Sequence, residues 1–238
     1  MPIRGIRDSG YKWPVAFVCA AALSAAVAIP RPTMMRISRQ NLCVTEGNIE
    51  SAGDKLTVDV PKMRAYVNQA TPQIVEAHFT FLGPTGKDIP LGSGEMRRQF
   101  GLKLRAGDAC NLVYAMWRIE PQSKLVVSVK SNPGQHSSAE CGNRGYTNIK
   151  PAKGSSVPIL RPGSPHVLRA EMNGEQLKIF VDRALVWEGS VGADGGAMKG
   201  PVGVRSDNAR LQFELFAAEP ANATSQGPAC RTGAEAAE

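Results

Sequence analysis

Arginine and tyrosine side chains that could hold an acidic sugar occur on two consecutive segments with strand-like sequences. Tyr114 and Arg118 share one face of segment 111–120, because side chains alternate along a strand, and Arg97 lies on the polar side of the segment before it. An arginine fork pairs with a carboxylate, and an aromatic ring can stack on the apolar face of a sugar. The spacing therefore predicts a groove lined by Arg97, Tyr114 and Arg118, with Trp117 either in the groove or in the core. The alternative interpretation is that both aromatic rings pack in the core and that the arginines are merely solvated.

Basic residues are concentrated around these positions. The chain of 238 residues carries a net charge of +7, and residues 93–130 alone hold seven basic against three acidic side chains. Arg98 within this segment and Arg144 in the loop beyond it are further candidates for ligand binding. A field of this sign favours acidic partners such as uronate polysaccharides, anionic lipid or nucleic acid. Because the sequence has no nucleic-acid-binding motif and predicts export, we expect an acidic glycan or a cell-envelope component and no nucleic acid.

The candidate residues belong to a series of short segments with the period-two alternation of β-strands. The clearest lie in the C-terminal half, where residues 166–172 alternate and Asn173-Gly174 gives the strongest short hairpin signal. Turn clusters separate the segments, and no convincing long helix is indicated. About ten or eleven short strands predict an all-β fold, an antiparallel two-sheet β-sandwich. The expected strands are residues 55–60, 74–82, 96–105, 111–120, 124–130, 166–172, 176–181, 184–188, 202–205 and 210–215.

The same C-terminal half carries a family resemblance. The run LRAEMNGEQLKIFVDRALVWEG, followed by GPVGVRSDNARLQFELF, resembles the C-terminal half of a concanavalin A-like (laminin-G-like, glucanase-like) jelly roll. In that superfamily a hairpin of this sort precedes a G-x-V-G-V/L-R-S/T-D-N strand and a final alternating strand. The resemblance implies a concanavalin A-like sandwich. That fold hosts lectins, glycoside hydrolases, polysaccharide lyases and adhesion modules, so function must be argued from a site.

Glycosidase and metal chemistry find little support in the residue spacing. Retaining glycosidases need two carboxylates about 5 Å apart, which on this fold lie on one face of one strand. Acid pairs such as Glu171 and Glu175 are separated by a turn. Asp88, Asp207 and Asn208 could serve calcium, but they form no D-x-D cluster, and Asp-Asn at 207–208 is first of all a turn. We therefore expect neither a metal site nor a cofactor.

A polysaccharide lyase is the alternative to a non-catalytic binding module. β-Elimination on a uronate polymer needs a group that neutralises the carboxylate, a base and an acid. Arg97 ends a Glu-Met-Arg segment that is loosely similar to part of the R-S/T-E-L-R motif of jelly-roll alginate lyases, His136 follows a glutamine, and Tyr146 could be the acid. The leading arginine, the Q-x-H spacing and the final Y-x-K-x-G-x-Y motif of those lyases are all missing. The sequence favours the binding module for acidic polysaccharide.

Four cysteines remain once a predicted leader is removed: Cys43, Cys110, Cys141 and Cys230. An even number in an exported chain suggests disulfides, and four cysteines allow three pairings. We predict the pair Cys110–Cys141, because both flank the central strands and close a loop of about 30 residues, worth roughly 3–4 kcal/mol in the chain-entropy model. Cys43–Cys230 could then tie the two ends together, whereas free thiols are the alternative.

The ends of the chain differ in composition from its centre. Residues 1–28 combine a basic start, an apolar run of about 15 residues and Ala26-Val27-Ala28, which predicts a cleaved signal peptide; the run is short of the ~20 residues that span a bilayer. We expect a secreted or periplasmic protein without a stable membrane span. Residues 29–53 should be an irregular tether, residues 54–218 the sandwich, and residues 219–238 a disordered tail. The loop 131–164 is too long to be a mere connector.

Overall fold

The computed structural model describes residues 1–2, 32–220 and 230. The predicted signal peptide and most of the predicted tail lie outside the described residues. Among the helices in the described part of the chain, none is long and apolar enough to cross a membrane.

The regular structure of residues 32–220 is mostly β-strand, joined by turns and loops. Two short α-helices, α1 (Ser138–Cys141) and α2 (Gly192–Ala197), and a 3₁₀ turn at Arg39–Asn41 are inserted between them. The strands are β1 (Met34–Ile37), β2 (Leu42–Glu46), β3 (Glu50–Ala52), β4 (Lys55–Val58), β5 (Lys62–Val67), β6 (Ile74–Pro84), β7 (Arg98–Leu104), β8 (Leu112–Glu120), β9 (Lys124–Lys130), β10 (Tyr146–Ile149), β11 (Lys153–Gly154), β12 (Pro165–Asn173), β13 (Gln176–Val181), β14 (Ala184–Ser190), β15 (Gly203–Asp207) and β16 (Ala209–Ala218).

The strands form two antiparallel sheets. The larger sheet has the order β11-β14-β13-β12-β6-β16-β4-β3, with β1 also paired to β16, and the smaller sheet has the order β10-β9-β8-β7-β15-β5-β2. The predicted all-β, two-sheet sandwich is confirmed. The hairpin between β12 and β13 is confirmed as well: Asn173 pairs with Gln176, and Gly174 takes the positive φ of +57° that such a two-residue turn requires.

Side-chain alternation determines which residues enter the core between the sheets. In β8, Val113, Ala115 and Trp117 point inward, and Trp117 is 0% exposed. Its ring meets Phe79 of the larger sheet edge-on, with the ring centroids 5.7 Å apart. A fully buried aromatic side chain contributes about 1.5–3 kcal/mol by removal of apolar surface from water. Trp117 is thus a core residue, and the groove face of β8 is left to its other side chains.

The prediction that residues 29–53 form an irregular tether is wrong for most of this segment. Residues 34–52 contain β1, β2 and β3, which pair with strands of both sheets. Gly47 and Gly53 lie in turns between these short strands, where they adopt φ of +74° and +61°. At Gly47 a Cβ atom would lie 2.1 Å from the carbonyl oxygen of Lys62, so the glycine marks a close approach of two strands.

The long loop 131–164 adds structure to both sheets. Its β10 pairs with β9 and its β11 pairs with β14. The predicted disulfide Cys110–Cys141 is confirmed and fastens α1 to the start of β8. The second pair, Cys43–Cys230, is also formed. Both bonds fit an oxidising compartment.

Candidate binding groove

A groove of about 410 Å³ lies on the outer face of the smaller sheet. Outward-pointing side chains of β5, β7, β8, β9 and β15 form its floor, and Tyr146 and Asn148 of β10 continue it. The segments 91–95 and 142–143 form its walls. They touch each other, because a Cβ atom on Gly92 would lie 2.0 Å from the side-chain nitrogen of Asn143. The floor side chains include Arg64, Gln99, Tyr114, Met116, Lys130 and Arg205.

Glycine at position 101 helps to keep the floor open. Gly101 lies between Met116 of β8 and Arg205 of β15 in the strand pairing. A Cβ atom here would lie 2.7 Å from the sulfur of Met116 and 2.3 Å from the carbonyl oxygen of Ala115. Any larger residue would therefore push the floor outward into the groove.

The structure brings together three of the five residues that the sequence nominated for ligand binding. Arg97, Tyr114 and Arg118 all line the groove, and so does Tyr146 from the lyase hypothesis. The reason is the period of two: Tyr114 and Arg118 lie on the outer face of β8, and Arg97 immediately precedes β7.

Arg98 lies outside the groove because alternation along β7 directs it to the face opposite Gln99, which lines the groove. The register between β7 and β8 shifts between Arg98 and Gln99. The Arg98 guanidinium is buried and forms ion pairs with Asp88, at 2.5 Å, and with Glu120. Its Nε also donates to the carbonyl of Asn208 at 2.9 Å. Arg98 thus ties strand ends together.

Arg144 and His136 are also outside the groove lining, on the segment around α1. Arg144 donates to the carbonyl oxygens of Glu140 and Cys141, and so caps the end of the helix. His136 is 66% exposed, and its Nδ1 lies 2.9 Å from a carboxylate oxygen of Asp108. His136 is therefore not among the groove residues, whereas Arg97 and Tyr146, the other two residues of the lyase hypothesis, are.

At one end of the groove two tyrosine rings and two cations stack. Tyr114 and Tyr146 lie with ring centroids 6.0 Å apart and planes 25° from parallel. The Arg205 guanidinium lies 5.0 Å from the centre of the Tyr114 ring, and Lys130 Nζ lies 5.2 Å from that of Tyr146. Tyr114 is buried, whereas Tyr146 is 40% exposed and presents its ring to solvent. Such a stack both stabilises the floor and offers an aromatic surface.

A buried carboxylate beside the groove floor joins three strands. Asp207 accepts from Arg64 Nη2 at 2.6 Å, from Arg205 Nε at 3.0 Å and from Gln99 Nε2 at 2.6 Å. Burial alone would raise the pKa of Asp207, but the charges of Arg205 and Arg64 and the hydrogen bond from Gln99 prevail and lower that pKa to about 2. Asp207 is therefore a structural anion between arginines. In the described residues no group of three or more His, Cys, Asp and Glu side chains could hold a metal ion.

At the other end, two arginines share one carboxylate. Arg97 pairs with Glu95, and Arg118 Nη1 lies 3.9 Å from the other oxygen of Glu95. Burial lowers the pKa of Arg118 and the neighbouring Arg97 lowers it further, while Glu95 acts in the opposite direction. Within residues 32–220, the buried Nε atoms of Arg97 and Arg118 have no hydrogen-bond partner. The guanidinium groups at this end are therefore incompletely paired.

Four basic floor residues escaped the sequence analysis for different reasons. Lys62 and Arg64 lie in β5, a strand that was not predicted. Lys130 ends a correctly predicted strand, but its face was not considered. Arg205 could have been found, because alternation places it opposite the buried Val204.

Comparison with known proteins finds similarity only among solved structures. No protein-family model matches the chain, and no curated protein matches it. The carbohydrate-binding module CBM66 from Bacillus subtilis is similar with a TM-score of 0.49 and 15% identity, over 73% of this chain and 91% of that one. The metal-free Emp46p carbohydrate recognition domain gives 0.47 and 11%, over 75% and 88%. LamAcat from Zobellia galactanivorans gives 0.44 and 13%, over 72% and 80%. Similarity this distant carries no argument about a ligand or a reaction, which must rest on the groove itself.

Proposed function

We propose that the protein is an exported, non-catalytic module that binds an acidic polysaccharide in the groove. The observation that carries the proposal is the charge of the lining. Six cationic side chains line the groove against one carboxylate, that of Glu95; they are Lys62, Arg64, Arg97, Arg118, Lys130 and Arg205. Such an excess of cations in one cleft attracts and orients a polyanion.

The spacing of the two ends favours a polymer over a single sugar. Arg118 and Tyr114 are four residues apart on β8, which corresponds to about 13 Å along the strand. The exposed Tyr146 ring stacks beside Tyr114 at the far end. A ligand that contacts both the arginine end and the tyrosine end therefore extends over more than one ring. An oligouronate combines a carboxylate for one end with an apolar ring face for the other.

A polysaccharide lyase is the less favoured alternative. Its three groups would have to act on one sugar, yet His136 lies outside the groove lining and already contacts Asp108. A structural envelope protein that binds protein partners through the same sheet is the non-glycan alternative. The cations that line the groove favour an anionic glycan over a protein partner, and the position of His136 outside the lining disfavours the lyase.

Calorimetric titration of the secreted protein with oligouronates and with neutral oligosaccharides of equal length tests the proposal. We expect saturable binding of the oligouronate that weakens as salt rises, because exposed charges are screened beyond about 8 Å at physiological ionic strength. The proposal would be contradicted if neutral oligomers bound as tightly as oligouronates, or if neither kind of oligomer bound. Release of unsaturated uronates, monitored by their ultraviolet absorbance, would replace it with the lyase.

A further inference from the structure

Glu95 occupies the position where a ligand carboxylate would be expected. Its two oxygens are divided between the arginines, one with Arg97 and the other 3.9 Å from Arg118 Nη1. It is the one acidic side chain among the described groove-lining residues. A planar carboxylate therefore already fits between the two guanidinium groups.

The fit is incomplete, and this is what points to a ligand. At 3.9 Å the contact between Glu95 and Arg118 is an ion pair without a hydrogen bond. The Nε atoms of both arginines are buried and make no hydrogen bond to the described residues. Buried guanidinium donors without partners carry a desolvation penalty, which an anion that reaches them would reduce.

Glu95 is also held in a way that permits it to leave. The Glu95 side chain is 42% exposed, whereas that of Arg118 is 12% exposed. The segment that carries it is a short turn, closed by hydrogen bonds from Leu91 N to the Glu95 carbonyl at 2.9 Å and from Gly94 N to the Leu91 carbonyl at 2.8 Å. A rotation of the Glu95 side chain toward solvent would uncover both arginines without disturbing these backbone bonds.

We infer that Arg97 and Arg118 form the subsite for the carboxylate of a uronate unit, and that Glu95 occupies this subsite until the ligand displaces it. The inference rests on the proposed function and narrows its ligand to carboxylated polymers over sulfated ones. A guanidinium fork matches the planar carboxylate in two parallel hydrogen bonds, and Glu95 demonstrates that this shape is accommodated.

The test compares Glu95→Gln with wild-type protein and with Glu188→Gln. Glu188 lies on the larger sheet and pairs with Lys153 and Lys178, so its replacement removes one negative charge away from the groove. The probes are a defined oligogalacturonate, a sulfated oligosaccharide of equal length and a neutral one. We expect Glu95→Gln to bind the oligogalacturonate about fivefold more tightly, the scale of one exposed ion pair, and Glu188→Gln to match wild type.

The possible outcomes separate the inference from the proposed function. If wild type binds the oligogalacturonate and Glu95→Gln binds it no more tightly, the inference is wrong and the function stands. If the sulfated oligomer binds more tightly than the carboxylated one, the subsite is not a carboxylate site. If neither wild type nor Glu95→Gln binds any acidic oligomer, both the inference and the proposed function are wrong.

Discussion

The outer faces of the two sheets carry similar types of charged residue but arrange them differently. On the larger sheet, cations and carboxylates alternate in exposed or half-buried pairs. Arg169 contacts Glu76 at 3.1 Å and Glu171 at 2.6 Å, and Lys178 contacts Glu188 at 3.4 Å. Pairs of this kind contribute about 0–1 kcal/mol each, so this face is an ordinary solvated surface.

On the smaller sheet the cations outnumber the carboxylates and several are buried. Arg64 and Lys130 are each 2% exposed. Lys130 donates to the Ala109 carbonyl at 2.9 Å and has no ion-pair partner within the described residues. Arg64 is balanced by Asp207, but burying the charge of Lys130 opposes folding, and such an arrangement is retained most readily where it serves binding.

A second cavity sharpens this contrast. It has a volume of about 370 Å³ and lies beside the larger sheet. Its histidines are already paired, His78 with Glu76 at 2.6 Å and His166 with Asp182 at 2.8 Å. Comparable volume alone therefore does not identify a binding site; the unsatisfied donors distinguish the groove.

The largest expected effect lies beneath the groove. Asp207→Ala would leave Arg64 and Arg205 buried without their shared carboxylate, which should lower the free energy of unfolding by about 3–5 kcal/mol. Glu188→Ala on the other sheet is the matched control and should leave the unfolding midpoint nearly unchanged. Urea denaturation of both variants measures this. If Asp207→Ala and Glu188→Ala had equal unfolding free energies, Asp207 would not be the carboxylate that balances the buried arginines of the smaller sheet.

The same carboxylate predicts a dependence on pH. Because the folded-state pKa of Asp207 is about 2 and the ordinary value is 3.8, the stabilisation that it provides is complete above about pH 4. It should be lost as the pH falls from about 4 through 2. The difference in unfolding free energy between wild type and Asp207→Ala should therefore shrink over this interval. A constant difference would contradict the assigned ion network.

The disulfide at the groove wall gives the next largest effect. Replacing Cys110 and Cys141 together by serine frees a loop of sequence separation 31 and should lower stability by about 3–4 kcal/mol in the chain-entropy model. Because α1 precedes the wall at Asn143, binding should weaken too. Thermal unfolding and oligouronate titration of the double variant check both parts. Unchanged stability would argue against the bond in the native protein.

The fold was predictable from sequence because its signals are local. Alternation and the Asn173-Gly174 turn specify β12 and β13 without reference to the rest of the chain. Strands β1, β2, β3, β5, β10 and β11 were missed, and five of these are short. They exist because neighbouring strands pair with them, which is tertiary information.

The groove was predictable only in part, for the same reason. Alternation placed Tyr114 and Arg118 on one face correctly. It could not reveal the register shift beside Arg98, which depends on pairing between β7 and β8. Nor could it reveal the ring of contacts around Asp207, which gathers residues more than 100 positions apart.

Arg118, which lines the groove, and Arg98, which lies outside it, should respond differently to replacement by alanine. Arg118→Ala should weaken oligouronate binding by about 1–3 kcal/mol, or about 5- to 150-fold, with the melting temperature nearly intact, since no hydrogen bond of Arg118 to described residues is lost. Arg98→Ala should instead lower the melting temperature and leave oligouronate binding nearly unchanged, because Arg98 forms ion pairs with Asp88 and Glu120 outside the groove. A large fall in melting temperature for Arg118→Ala would identify it as a structural residue.

The smallest expected effect concerns Tyr146, where stacking and acid catalysis make opposite predictions. If the ring is a stacking surface, Tyr146→Phe keeps both the ring and its contact with Tyr114, and loses only a weak bond in which the hydroxyl accepts from Arg205 Nη1 at 3.4 Å. Its dissociation constant should then stay within about twofold of wild type, while Tyr146→Ala loses about 0.5–1.5 kcal/mol of aromatic interaction. If Tyr146 is a lyase acid, Tyr146→Phe should abolish release of unsaturated uronates as completely as Tyr146→Ala does. Parallel titration and absorbance assays on the two variants therefore decide whether Tyr146 binds a sugar by stacking or acts as the acid of a lyase.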